Sequence, residues 1–412
     1  FSKVVTRDVL ETFEGIMPDL MKIFAGTDTF VEFEPFGPED EEAAEQATDY
    51  VNYIFNKRAD GFLTLYTWFK DALLMKNGLV KLGWMEKDCT EIHTFSGLTQ
   101  EMVDGIAEDE DVTEVEVEEQ EDGTLDAKVI RVMSKGRPYV YPIPSEEFRI
   151  SARSSSIEDA EFVAHVTDKK CGDLIAAGFD EDAVYNGARS THLDRGTVED
   201  ARFSDVDESD WEYSHDEECE LVHAFIDVFC ETDKRTKTFE VHQIGSEILS
   251  WEEVECKRFI SLSPIMMPHK FTGVSVADLV KDIQMIRSEL YRQILDNNAL
   301  VNAGRYAAVD GQVNLQDLMD NRIGGIVREK VSGAVRQLPT PNLGQAVIPM
   351  LGEMEKERQD RTGVNDMSQG LDANALTSNT AATSVNQIMS AAQQKILLIA
   401  RIFAETGVKQ LF

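Results

Sequence analysis

Apolar residues recur at two different periods along this chain, and the change of period divides it. Near the start, Val4-Val5, Val9-Leu10, Phe13, Ile16-Met17 and Leu20 fall at helical spacing, with Pro18 predicting a kink or a shortened helix. After the Pro-Phe-Gly-Pro break at 35–38, a second helix is predicted from Asp40 through Ala43, Ala47, Val51, Ile54 and Phe55, continuing past Gly61 to Leu74. Asn77-Gly78 ends it, and Leu79 to Met85 reads as a strand. Next, Val112, Val115 and Val117 alternate with Glu114, Glu116 and Glu118, and Glu121-Asp122-Gly123 turns the chain back through Leu125 to Met133, predicting a hairpin. Tyr139–Ile150, Leu221–Phe229 and Phe239–Val254 supply further strands. Thr167 is placed as the cap of a short helix closed by Gly178, and the acidic, Gly- and Ser-containing stretch 186–218 as a surface excursion.

From Ser275 the helical period returns. Ser275-Val-Ala-Asp278 is a capping-box start with Asp in place of the usual Glu. Leu279, Ile283, Ile286, Leu290 and Ile294 then form one apolar stripe, and Asn302-Ala-Gly304 stops a helix of roughly 43 Å at 1.5 Å per residue. Residues 305–338 are short, turn-rich and β-like, at Tyr306–Val309, Gly325–Arg328 and Ala334–Leu338. Another helix spans about 342–361 with Pro349 inside it; 364–380 is a polar loop. Ala381–Glu405 is a long helix with Val385, Ile388, Ile396, Ile399 and Phe403 as its stripe. The fold class expected is α+β, with an acidic α+β region over 1–270 followed by helices that flank a small β module.

Composition sharpens that division. The 412 residues carry a formal net charge of −36, which argues against capture of DNA by counterion release. Residues 1–269 hold 25 basic and 61 acidic side chains, whereas 270–412 hold 15 of each, so the whole excess lies in the first part. No apolar run is long enough to span a bilayer, so no membrane is expected. Five scattered cysteines do not make a disulfide framework. Phe1 is not an initiator methionine, and the chain reads as a fragment trimmed at the front.

Candidate chemistry is sparse. His215-x3-Cys219-x3-His223 would gather ligands on a helix, but 220–229 alternates like a strand and would hold the three apart. Asp205-x-Asp207-x-Ser209 begins like a calcium loop, yet Asp210 stands where Gly is needed and no Glu closes it. There is no GxxxxGK[ST] and no GxSxG, so neither a P-loop motor nor a serine hydrolase is encoded. No catalytic residue, metal or cofactor is expected. A metal-dependent hydrolase would need carboxylates to converge from distant segments. A virion tail or scaffold component is the alternative structural oligomer.

Several segments together resemble the portal proteins (head–tail connectors) of tailed double-stranded DNA bacteriophages, nearest to those of short-tailed phages. They are Val4-Val-Thr-Arg-Asp-Val-Leu-Glu-Thr and Leu20-Met-Lys-Ile-Phe24; Ile143-Pro-Ser-Glu-Glu-Phe-Arg-Ile150; Phe271-Thr-Gly-Val-Ser-Val-Ala-Asp-Leu279; Gly324-Gly-Ile-Val327; Arg361-Thr-Gly-Val364; Gln369-Gly-Leu-Asp372; and Ser390-Ala-Ala-Gln-Gln394. None is a catalytic signature; their order and their spread over nearly the whole chain carry the resemblance.

The resemblance implies a homo-oligomeric ring, a dodecamer of about twelve subunits. Residues 1–270 would be its wing, 271–304 and 341–363 its paired stem helices, and 305–340 its clip. Residues 364–380 would be its tunnel loop and 381–412 the helix leading to a crown that lies outside this chain. Stem packing falls to Leu279, Ile283, Ile286, Leu290 and Ile294; clip docking to Arg305, Arg322, Arg328, Lys330 and Arg336; and the DNA-channel loop to Gln369, Asn374, Ser378 and Asn379. The implied role is to nucleate the procapsid at one vertex of the virion, to pass DNA during packaging and ejection, and to attach the tail. The implied partners are the major capsid and scaffolding proteins, the terminase large subunit, head-completion or tail adaptor proteins, and double-stranded DNA.

Overall fold

The computed structural model describes residues 2–27, 29–35, 37, 39–98, 106, 112–119, 125–190, 217–302, 305–320, 324–339, 344–364 and 394–412. The chain is α+β and divides into two units that interleave along the sequence. One comprises Phe1–Leu20, Leu73–Lys76 and Val274–Ile402; the other comprises Met21–Ala72, Asn77–Gly273 and Phe403–Phe412. One cut between them falls after Gly273. The first twenty residues, however, group with the later, electrically balanced part of the chain.

Helix α1 (Asp8–Ala25) continues through Pro18. The hydrogen bond lost there is offset by one face, Phe13, Ile16, Met17 and Leu20, being fully buried. Helices α2 (Glu41–Arg58) and α3 (Gly61–Met75) are separate, not the single helix predicted. Asp60 breaks them with φ 47°, and a Cβ at Gly61 would stand 2.5 Å from the Phe55 ring, so the chain turns where only glycine fits.

Strand β1 (Gly78–Leu98) runs well beyond Met85, because β3 (Leu125–Ile143) pairs with it almost throughout. The predicted hairpin is present as β2 (Val112–Glu119) against β3, with Glu116 opposite Lys128; its turn lies outside the described residues. Tyr139–Ile150 is not one strand. β3 stops at Ile143, Pro144 opens a turn, and β4 (Phe148–Ile150) joins the other sheet. That sheet is antiparallel in the order β4-β5-β6-β7-β8, with β5 (Phe162–Lys170), β6 (Glu218–Cys230), β7 (Arg235–Ile244) and β8 (Glu247–Val254). The first sheet has the order β2-β3-β1-β9, β9 being Phe259–Leu262.

Thr167 is not a helix cap. It lies in β5 opposite Leu221, its backbone committed to the ladder, and Lys170 precedes α4 (Cys171–Ala176) without a side-chain cap bond. Gly178, at φ +97°, does end that turn of helix. Helix α5 (Glu181–Ser190) follows. Alternate residues of β6 divide one face of its sheet. Cys219 and Leu221 pack with Leu174, Val184 and Ile244, on the α4–α5 side. Phe225 packs with Leu79, Ile143, Phe148, Val163 and Phe259, on the side of the first sheet. Cys171, Cys219, Cys230 and Cys256 are free thiols.

In the other unit, α6 (Val276–Asn302) and α8 (Gly344–Thr362) pack together. Between them lie β10 (Tyr306–Ala308) paired with β11 (Val335–Gln337), and the short helix α7 (Leu315–Met319). Residues 325–328 are not a strand as predicted; the Arg328 N–H donates to the Asp317 carboxylate (3.4 Å) instead of to a ladder. Residues 394–403 are helical and pass into a π-turn, Ala404–Val408. The Phe403 ring lies 5.1 Å from that of Phe69, tilted by 32°, and Gly407 lies so close to Trp68 that a Cβ there would stand 2.8 Å from the indole.

Candidate functional site

Helix α6, the longest among the described residues, starts as its sequence predicts. The Asp278 N–H donates to Ser275 Oγ at 3.0 Å and the Ser275 N–H donates to Asp278 Oδ2 at 3.1 Å, a reciprocal cap. The buried seam is displaced from the predicted stripe. Ile283 and Leu290 are buried, Leu279 and Ile294 half-buried, and Ile286 exposed. Val276 and Val280 complete the seam, and Arg287 takes the place expected for Ile286, because it is the centre of an ion-pair cluster rather than a packing residue.

That cluster joins three helical segments of the unit. Arg287 donates to Asp8, which is 1% exposed, and to Glu355 Oε2 at 2.6 Å. Arg358, itself buried, donates through Nε to Glu355 Oε1 at 3.1 Å and through a terminal nitrogen to Thr12 Oγ1 at 3.2 Å. Burial would raise the Glu355 carboxyl, but hydrogen bonds from Arg358 and the charges of Arg358 and Arg287 outweigh it and hold it below the ordinary glutamate range. Two acids and two bases are thus buried or half-buried as a matched set. The segment leading into α1 and its first turn lie along α6: the Thr6 N–H donates to Ser288 Oγ (3.0 Å) and the Val9 N–H to Gln284 Oε1 (3.0 Å). On the exposed side, Arg361 of α8 donates to both Asp282 oxygens at 2.9 and 2.8 Å, which lowers the Asp282 carboxyl. Lys395 Nζ caps the end of α8 by donating to the Asp360 carbonyl at 2.6 Å.

The five basic residues singled out in 305–340 do not behave alike. Arg328 is clamped on Asp317 at 2.6 and 3.0 Å, and Lys330 donates to the Gly311 carbonyl at 3.1 Å, so both hold the module's own turns. Arg305 and Arg336 are exposed. Arg322 lies outside the described residues, as do Gln369, Asn374, Ser378 and Asn379.

Local spacing also missed a row of histidines. Cys219 and His223 sit four residues apart on β6, too extended for a shared site, while His215 is outside the described residues. The register instead places His165 of β5 opposite His223, and His223 opposite His242 of β7. Such a row is invisible without strand pairing; alternation could at most have shown that each histidine faces inward.

The family described as phage SU10 portal protein matches residues 1–412, the entire chain. The chain belongs to that family. It is a structural portal, or head–tail connector, protein of a bacteriophage virion. No curated protein matches it. Portal family membership implies a ring oligomer of the virion capsid that meets capsid, terminase and DNA.

One property of the portal subunit bears on that. Both α6 and α8 leave large apolar side chains in solvent, Met285 at 65% and Leu295 at 44% on α6, Ile348 at 64% on α8. The small module between them exposes Met319 and Ile326 at 83% each. Large apolar side chains left in solvent are surface that an oligomeric contact can cover. Among the described residues no helix is long and apolar enough to cross a membrane.

Proposed function

We propose that this portal protein assembles as a ring of about twelve copies, with α6 and α8 as its stem. In this reading the 305–340 module is the clip, the five-stranded sheet belongs to the wing, and 364–380 is the loop facing DNA. The observation that carries it is the exposed apolar side of a helix pair whose seam is already filled within the chain. Val276, Val280, Ile283 and Leu290 are occupied internally, so Met285, Ile286 and Leu295 are left for a neighbouring copy. Ile286 thus keeps a stem role, facing between subunits instead of into its own chain.

The clip would dock the terminase large subunit during packaging and a tail adaptor afterwards, using Arg305 and Arg336, the two described arginines that the module does not clamp. Capsid and scaffolding proteins would meet the acidic wing. The portal itself makes no bonds in this role; ATP hydrolysis belongs to the terminase. Negative-stain imaging with analytical ultracentrifugation tests the ring directly, the expected outcome being a hollow ring of about twelve copies. Deleting 310–335 is expected to leave rings partly intact and to abolish terminase capture in a pull-down. Retained capture would move the docking surface elsewhere.

A further inference from the structure

We propose that His223, Glu240 and His242 bind a single divalent transition-metal ion, of the zinc class, inside the five-stranded sheet. Among the described residues this is the one group of three metal-ligating side chains whose ligand atoms converge, all within 4.8 Å of one another. The convergence follows from register. His223 of β6 and His242 of β7 are directly opposed, so they share a face, and Glu240 lies two residues from His242 on that same face. His223 Nε2 is 2.7 Å from Glu240 Oε1, and the two imidazoles stack at 4.3 Å. The site lies midway along the face, between the Leu221–Ile244 cluster and the Val163–Phe225 cluster. His223 and Glu240 are 4% and 8% exposed.

The His223 ring has a tautomer to spare. Nε2 is hydrogen-bonded to Glu240 Oε1, while Nδ1 is buried with no partner and can take the proton that Nε2 gives up.

The surroundings are those of supported ligands. His242 Nδ1 is 2.8 Å from Ser250 Oγ, which leaves Nε2 to face a metal. Arg258 reaches Glu240 Oε2 at 3.4 Å, and Oε1, held by His223 Nε2 in the metal-free chain, would pass to the metal. Two nitrogens and one carboxylate oxygen suit zinc, cobalt or nickel; magnesium and calcium prefer all-oxygen sets. A water would complete a tetrahedron. Two features act against the ion: the positive charges of Lys81 and Arg258 near Glu240, and the parallel stack of the two rings. Binding therefore turns one ring about χ2, and the proton on His223 Nε2 moves to Nδ1, so that a neutral imidazole ligates in place of the hydrogen bond to Glu240. The result would be a staple between neighbouring strands in a sheet held otherwise by hydrogen bonds and apolar packing.

The test uses the full chain, treated with chelator and titrated with Co²⁺ and then Zn²⁺. Expected are the visible bands of tetrahedral Co²⁺ at one equivalent per chain, their displacement by Zn²⁺, and a higher Tm with zinc. His242→Gln and Glu240→Gln are each expected to weaken zinc binding at least tenfold. Ser250→Ala, which removes only the orienting hydroxyl and is expected to fold, should weaken it by about tenfold. His269→Gln, at an exposed histidine, should change nothing. Absence of a tetrahedral Co²⁺ spectrum in the wild-type chain overturns the proposal. So does binding that Ser250→Ala and His242→Gln leave intact, or binding lost on changing His269.

Discussion

Arg287 and Glu355 meet at 2.6 Å between α6 and α8, and the same arginine nitrogen also holds Asp8 of α1. The arginine is therefore the shared partner of two carboxylates, one of them fully buried. Arg287→Met strands Asp8 as an unpaired buried charge and should cost roughly 3–5 kcal/mol, the range for breaking a buried pair. Adding Asp8→Asn to Arg287→Met should recover part of that loss. Urea unfolding of the three variants against wild type checks this; a double variant no more stable than Arg287→Met alone would contradict it.

Folding and assembly separate on neighbouring residues of one helix. Leu290 is buried within the chain, so Leu290→Ala should destabilise the subunit by roughly 2–5 kcal/mol whether or not rings form. Ile286 is 42% exposed, so Ile286→Ser should change subunit stability by about 0.5 kcal/mol or less, yet reduce ring formation. Unfolding midpoints and sedimentation profiles of both variants distinguish the two effects.

Acid should loosen the unit built on α6 and α8. The folded chain holds the carboxyls of Glu355 and Asp282 below their ordinary values of 4.5 and 3.8. The unfolded chain then binds more protons in the window below those values. The contribution is full at neutral pH and is lost as pH falls through the folded pKa values. Urea midpoints measured from pH 7 downward should fall below about pH 4.5, and Glu355→Gln should flatten part of that fall.

The 364–380 segment is tested through charge. Its polar residues exchange hydrogen bonds with phosphates without anchoring them, whereas lysines would hold them electrostatically. Replacing Gln369, Asn374 and Asn379 with lysine should slow DNA translocation, most at low salt, and leave rings unchanged in negative stain. Unaltered packaging rates at low salt would remove the loop from the DNA path.

Local patterns revealed what is local. The Ser275–Asp278 cap, the extent of α6 and the β2–β3 hairpin each depend on neighbours within one turn or one hairpin, and each is present. Partners far apart in sequence overrode the rest. Thr167 reads as a cap until β6 claims its backbone, and Ile286 reads as seam until Asp8 and Glu355 draw Arg287 there instead. The His223–His242 stack needs a strand register, which single-strand alternation does not encode. Membership of the portal family was legible for a different reason: its short segments recur in order along the chain, and order survives where pairwise contacts cannot be inferred.

The interleaving of the two units sets a schedule for synthesis. Thr6 finds Ser288 282 positions later, so the first segment leaves the ribosome long before its partner helix exists. At about 5–20 residues per second, it waits on the order of tens of seconds. During that interval Thr6 and Asp8 have no α6–α8 unit to join, and the long closing distance makes their docking a slow, late event. A half-made chain therefore presents no finished helix pair to another copy, and self-association is deferred until translation has passed the stretch that completes it.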